Sequence, residues 1–269
     1  MSIFSGKICL ITGGASGIGL AIAKAFSMNG VHTVIFDVNN DAGVSACDLL
    51  SSQGISLKFV PIDLCMIEKA KEVFLNVLES SESISDIILI NNARSGKRLS
   101  LLDETEENWD LALTVGLKSM FFLSQTLIDF SVKRGVRSII CNIGSIASTL
   151  VTPESPSYHA TKSGVLQITK YLAVHGGKYG ARVNCILPGF IVQERHLERF
   201  HDSSNEHYRN LAYQYHPLGE IGTEQDVVNA VIWLCSDESK YITGASISID
   251  GGAPCQEQFS MLLNATEKL

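Results

Sequence analysis

Tyr158 and Lys162 are four positions apart, and Ser145 lies thirteen residues before the tyrosine. On a helix, Tyr158 and Lys162 leave the same face one turn apart. A free phenol has a pKa of about 10 and is a poor base at neutral pH. A fixed ammonium within a few ångströms favours the phenolate and lowers that value. The spacing therefore predicts a tyrosine that takes a proton from an alcohol, or gives one to a carbonyl, near neutral pH. Ser145 would hold the same substrate oxygen. Amphipathic helices with a surface lysine also carry this spacing, so the case rests on the elements that position the three residues.

Those elements alternate. Residues 7–12 read as a short apolar strand buried on both faces. The turn Gly13-Gly-Ala-Ser-Gly17-Ile-Gly19 follows and opens a helical pattern over residues 20–26. Strand, glycine-rich turn and helix are the context of a dinucleotide site: glycines let the backbone approach a diphosphate, and the helix start offers N–H groups to it. A plain tight turn between strand and helix is the simpler alternative. A second strand, 32–37, ends at Asp37, whose carboxylate suits the adenosine ribose hydroxyls and repels a 2′-phosphate. With no basic residue at Gly14, Ala15 or Ser16, this favours NAD over NADP; a helix-capping aspartate is the alternative. Further strands are expected at 56–62, 86–91, 138–144, 181–187 and 245–249. Helices are expected at 40–53, 66–81, 109–133, from Tyr158 to about 179, and 224–235. Asp63 and Leu64 end the third strand where an adenine ring would lie. The alternation implies a doubly wound, Rossmann-like α/β domain whose parallel sheet binds ligands beyond its strand carboxyl ends.

The chain has 269 residues, 45% of them hydrophobic, with a formal net charge of -7. That suits one domain, here 1–252, followed by a tail over 253–269. No basic face suggests nucleic acid, and no apolar run approaches the ~18 residues of a membrane span. The N-terminus reads as lacking a signal peptide, since Lys7 opens a strand at once. Seven cysteines stand singly, without a C-x-x-C pair. They read as small buried hydrophobes in a reducing cytoplasm. Histidines at 196, 201 and 207 do not share a helical face, so no metal site is expected. Residues 193–216, rich in histidine and tyrosine, read as a polar, aromatic lid that orders on binding.

Taken together, Thr12-Gly13-x-x-x-Gly17-x-Gly19, Asp63-Leu64, Asn91-Asn92-Ala93, Ser145, Tyr158-x-x-x-Lys162, Pro188-Gly189, Tyr241-Ile-Thr-Gly244 and Asp250-Gly251-Gly252 resemble the short-chain dehydrogenase/reductase superfamily, in its compact form. The resemblance spans roughly residues 5–252 and implies hydride transfer between a nicotinamide and an alcohol or carbonyl. It implies a catalytic Ser145, Tyr158 and Lys162, the lysine also holding the nicotinamide ribose. It places Gly13, Ser16, Gly17, Ile18, Gly19, Asn92, Ala93, Pro188 and Ile191 along the cofactor. It also implies a homo-oligomer, dimer or tetramer, acting on a small molecule. A ketoacyl-thioester reductase and a cofactor-binding regulator with little turnover are the alternative functions.

Four departures carry information. Arg94 stands where the family has glycine and, with Lys97 and Arg98, suggests an anionic substrate group; a solvated loop or a contact to cofactor phosphates is the alternative. Gly116 stands where the family has an asparagine supporting a proton-relay water, so the relay is in doubt. Gln193 stands for a threonine that holds the nicotinamide carboxamide, and its amide can make the same bonds. Glu220 replaces an arginine and affects only local ion pairing.

Overall fold

The computed structural model describes residues 4–81, 84–257, 259 and 261. In chain order its main elements are β1 (Lys7–Thr12), α1 (Gly17–Met28), β2 (His32–Asp37), α2 (Asn40–Ser52), β3 (Lys58–Pro61), α3 (Ile67–Glu79), β4 (Asp86–Asn91) and α4 (Glu106–Leu113). A π-helical turn, Thr114–Lys118, joins α4 to α5 (Ser119–Arg134). Then come β5 (Arg137–Ile143), α6 (Pro156–Gly177), β6 (Arg182–Pro188), β7 (Ile191–Val192), α7 (Glu194–His201), α8 (Glu206–Tyr215), β8 (Gly222–Thr223), α9 (Glu224–Cys235) and β9 (Ser246–Ile249). Seven strands form one parallel sheet in the order β3-β2-β1-β4-β5-β6-β9. β7 and β8 pair separately beneath the lid.

Both faces of the sheet are covered, which is why β1 and β4 are buried at every residue. On one face Leu10, Phe36 and Leu89 pack with Phe74 of α3, Leu123 and Leu127 of α5 and Val165 of α6. On the other, Ile11, Ile35 and Ile90 pack with Ile22 and Phe26 of α1 and Val231 of α9. Each such side chain contributes roughly 1.5–3 kcal/mol on burial. The helical region Glu106–Arg134 is long enough to span a membrane and contains an 18-residue stretch of mean hydropathy 1.5. Its residues Met120, Leu123, Leu127 and Phe130 are spent inside the core.

Most boundaries move by one to three residues from the sequence expectation. β3 keeps only the residues that find partners on β2, from Val34↔Lys58 to Asp37↔Pro61. α4 starts early because Thr105 accepts the Asn108 N–H at 3.1 Å and two glutamates favour the first turn. α6 starts at Pro156 because Ser155 caps it, accepting the Tyr158 N–H at 3.3 Å. Thr223 caps α9 in a capping box with Asp226. The segment read as a lid forms two helices joined by a ring cluster, with Phe190 6.3 Å from Phe200, 6.1 Å from Tyr208 and 6.0 Å from His216 between centroids. Gln256 of the tail donates to the Tyr215 carbonyl at 2.8 Å, so the tail's start touches the lid; residues 258, 260 and 262–269 lie outside the described residues.

The two ends of the sheet differ in charge. At the amino ends of the strands, buried Lys7 lies 3.4 Å from both Asp86 and Asp237. Arg137 grips Asp86 with two bonds, at 2.8 Å through Nε and 2.7 Å through Nη2. The carboxyl ends of β1, β2, β4, β5 and β6 open onto a cavity.

Candidate active site

The glycine turn is held from below. Asn92, just past β4, donates Nδ2 to the Gly13 carbonyl at 2.8 Å and to the Thr12 carbonyl at 3.2 Å. Thr12 Oγ1 accepts the N–H groups of Asn92 and Ala93, both at 3.2 Å. This packing requires glycine at position 19, where a Cβ would lie 2.2 Å from the Gly13 oxygen. Gly17 takes a left-handed φ of +52°, and a Cβ there would lie 2.9 Å from Gln193 Oε1. α1 then starts at Ser16 with no side-chain cap and no acidic residue in its first turn. Its N–H groups are left for an anion. Asp37 accepts the Ala15 N–H at 3.2 Å and the Asn39 N–H at 3.0 Å, which fixes its carboxylate beside the loop.

The catalytic candidates arrive from two other strand ends. Ser145 follows β5; its Oγ accepts the Ala147 N–H at 3.1 Å and is hydrogen-bonded to Tyr158, which places both hydroxyls at one point of the cavity. α6 delivers Tyr158 and Lys162. The lysine is 4% exposed and donates to the Ile143 carbonyl at 2.6 Å. The expected tuning of the phenol by this ammonium is corrected here. Burial comes first and raises the Tyr158 pKa; a Ser145 hydrogen bond and the Arg94 charge oppose that rise, and Glu154 adds to it. Lys162 Nζ is engaged by Ile143 and sits 5.7 Å from the Tyr158 ring centroid. Burial also lowers the lysine itself to about 8, with Cys185 opposing and Arg94 adding to the fall.

One cavity of about 610 Å³ gathers most of the predicted residues. Gly13, Ser16, Gly17, Ile18, Asp37, Asn92 and Ala93 border one part; Ser145, Tyr158, Lys162, Pro188 and Ile191 border the other, with Arg94 and Gln193 between. Three expectations fall elsewhere. Gly19 lies under the loop, packed on Gly13. Asp63 is exposed and turns its carboxylate to the Cys65 N–H at 2.9 Å, and Leu64 is buried in the core. Lys97 and Arg98 also stand outside the cavity lining: Arg98 bonds the Pro153 carbonyl and lies 3.7 Å from Glu154.

Sequence reasoning missed two charged cavity residues, Glu154 and Arg195. It also missed the supports. Buried Asn108 accepts the Lys97 N–H at 2.6 Å and donates to the Lys97 carbonyl and Ser157 Oγ, both at 3.3 Å, tying the Arg94 loop to the start of α6. Asn91 donates to Asn142 at 2.8 Å, and Asn142 to Thr169 at 2.9 Å, a polar ladder through the core. Gly116 sits in the π turn, where a Cβ would be 2.5 Å from Thr161 Cγ2. Thr161 thus fills the space that an asparagine side chain at 116 would need. Among the described residues no group of histidine, cysteine, aspartate and glutamate side chains is arranged for a metal.

The uncapped start of α1, the glycine cradle and a buried, unpartnered Gln193 Oε1 beside it fit an anionic dinucleotide with a carboxamide donor. Comparison with known proteins agrees. Residues 13–254 match a family model described as enoyl-(acyl carrier protein) reductase. A 3-oxoacyl-[acyl-carrier-protein] reductase of Chlamydia trachomatis is 32% identical over 247 residues, 91% of this chain and 96% of that one. A 2-(S)-hydroxypropyl-CoM dehydrogenase of Xanthobacter autotrophicus is 29% identical over 249 residues, covering 91% and 96%. The crystal structure of a gluconate 5-dehydrogenase from Burkholderia cenocepacia, in complex with NADP and tartrate, superposes with a TM-score of 0.81 at 26% identity, covering 94% of this chain and 96% of that one. A serine, a tyrosine and a lysine at the carboxyl edge of a Rossmann-like sheet, and relatives matched along nearly their whole length, make this chain an oxidoreductase of the short-chain dehydrogenase/reductase superfamily.

Proposed function

We propose that the protein transfers a hydride between NAD(H) and a small alcohol or carbonyl substrate that is anionic or sugar-derived. The observation that carries this is one cavity bordered by the glycine loop, by Ser145, Tyr158 and Lys162, and by Arg94. Arg94 has no hydrogen-bond or ion-pair partner among the described residues, and its positive charge bears on both Tyr158 and Lys162. A guanidinium free beside the reacting oxygen suits a carboxylate or phosphate on the substrate.

A bound nicotinamide would supply or accept the hydride. The chain's own residues manage the oxygen and the proton. Ser145 donates its hydroxyl to the substrate oxygen. Tyr158 would give its proton to a carbonyl in reduction, or take one from an alcohol in oxidation. Lys162, tied to Ile143 through one proton, has the others for ribose hydroxyls. The Asp37 carboxylate supports NAD, although the gluconate 5-dehydrogenase named above carries NADP. Seven free cysteines suit the cytoplasm, and the family resemblance supports a homo-oligomer.

The relatives described as acyl-carrier reductases keep a second reading, ketoacyl-thioester reduction, in play. The test is an NADH-linked screen of sugar-derived, anionic and acyl-thioester carbonyls, with Tyr158→Phe as control. Turnover on an anionic or sugar carbonyl, falling about 10²–10⁴-fold in the variant, is the expected result. Turnover only on thioesters, or tighter binding of NADPH than of NADH, overturns the corresponding part.

A further inference from the structure

We infer that Arg195, on the first turn of the lid helix α7, is a phosphate-binding residue that holds the bridging diphosphate of the dinucleotide. The inference rests on the cofactor reading above and extends it to the lid. Arg195 borders both the catalytic cavity and an adjoining apolar groove of about 770 Å³ that runs between α1 and α7. The two spaces share Ser16, Gly17 and Arg195, so the arginine stands at their junction, beside the start of α1.

Two observations point to an anion there, and a third fixes the geometry. The guanidinium is exposed and has no hydrogen-bond or ion-pair partner among the described residues, although Glu194 of its own segment borders the same groove. α1 begins without a side-chain cap or an acidic first turn, so its N–H groups and dipole face the same junction uncompensated. Two residues before Arg195, the Gln193 side chain lies against Gly17, so the segment that carries the arginine is packed on the glycine loop. The Gln193 amide and the Arg195 guanidinium therefore flank the glycine loop from the lid side.

The backbone that carries them is fixed: the Glu194 N–H donates to Glu224 at 3.2 Å, and β7 pairs with β8 just before it. An anion seated on the loop would receive α1 from the sheet side and Arg195 from the lid side. Dinucleotide capture and seating of the lid would then be one event. Lys24, which borders the groove but not the cavity, is the built-in comparison.

The experiment is fluorescence titration of NADH and NADPH, with adenosine as a competitor that lacks phosphate. It uses wild type, Arg195→Ala, Arg195→Lys and Lys24→Ala. The expected result is a roughly tenfold weaker NADH Kd for Arg195→Ala, the worth of one charge-assisted contact. An equal loss for NADPH, unchanged adenosine binding, partial recovery in Arg195→Lys and near-normal Lys24→Ala complete the pattern. Normal NADH binding by Arg195→Ala, an equal loss for adenosine, or a loss confined to NADPH would overturn it, the last by moving the contact to the 2′-phosphate. Failure of the wild type to bind either dinucleotide would instead remove the cofactor reading, and this inference with it.

Discussion

The two ends of the central sheet handle charge in opposite ways. At the amino ends, Lys7, Asp86, Arg137 and Asp237 satisfy one another, and the buried members Lys7 and Asp86 each face an opposite charge. At the carboxyl ends, Arg94 and Arg195 border a cavity with no protein partner among the described residues, and Lys162 is buried against a neutral carbonyl. A buried charge that the protein itself does not neutralise is costly, and of these three only Lys162 is buried. The first arrangement is one that stability accounts for; the second matches the ligand site proposed above.

Breaking the paired end gives the largest expected effect. Asp86→Ala leaves Lys7 buried with only the partly exposed Asp237, and stability should fall by about 3 kcal/mol. NADH affinity should stay at the wild-type value. Denaturant unfolding beside an NADH titration checks both, and weaker binding in the variant would erase the distinction between the two ends.

The opposite substitution sharpens it. Lys162 has its folded pKa lowered to about 8 from 10.5, so burial opposes its charge. The unfolded chain keeps that proton to higher pH. The cost is therefore full below about pH 8 and is relieved as pH rises towards 10.5. Lys162→Met should abolish turnover yet be more stable at pH 7. The gap sets a ceiling of roughly 3 kcal/mol, and the lost bond to Ile143 reduces it to about 1–2 kcal/mol. The advantage should shrink above pH 8, which melts at pH 7 and pH 10 would measure. A variant less stable at pH 7 would mean that the ammonium is stabilising as it stands.

The smallest effect is selective. Arg94→Ala should reduce kcat/KM roughly five- to tenfold on an anionic carbonyl and little on a neutral one. Equal losses on both would return Arg94 to the role of a loop residue.

The sheet and the meeting of Tyr158 and Lys162 in one cavity were legible because each leaves a local signature: apolar runs for doubly buried strands, a glycine spacing for the cradle, a four-residue spacing for Tyr158 and Lys162. What escaped depends on residues distant in sequence. Glu154 reaches the cavity from the loop before α6, and Arg195 from the first turn of α7. Asn108 ties Lys97 to Ser157 across a gap that no periodicity reveals. Asp63 looked like an adenine contact, but a short acidic side chain after a strand readily bonds its own backbone. The sign of the Tyr158 shift was misjudged because a four-residue spacing gives proximity to an ammonium and says nothing of the burial that raises the phenol.

The close fit of Gly116 against Thr161 also constrains how this sequence can change. With 2.5 Å between a hypothetical Cβ at 116 and the Thr161 methyl, neither position drifts independently. A side chain at 116 calls for a smaller residue or a turned rotamer at 161. The pair couples the π turn to the helix one residue before Lys162, so volume added on one side has to be given up on the other.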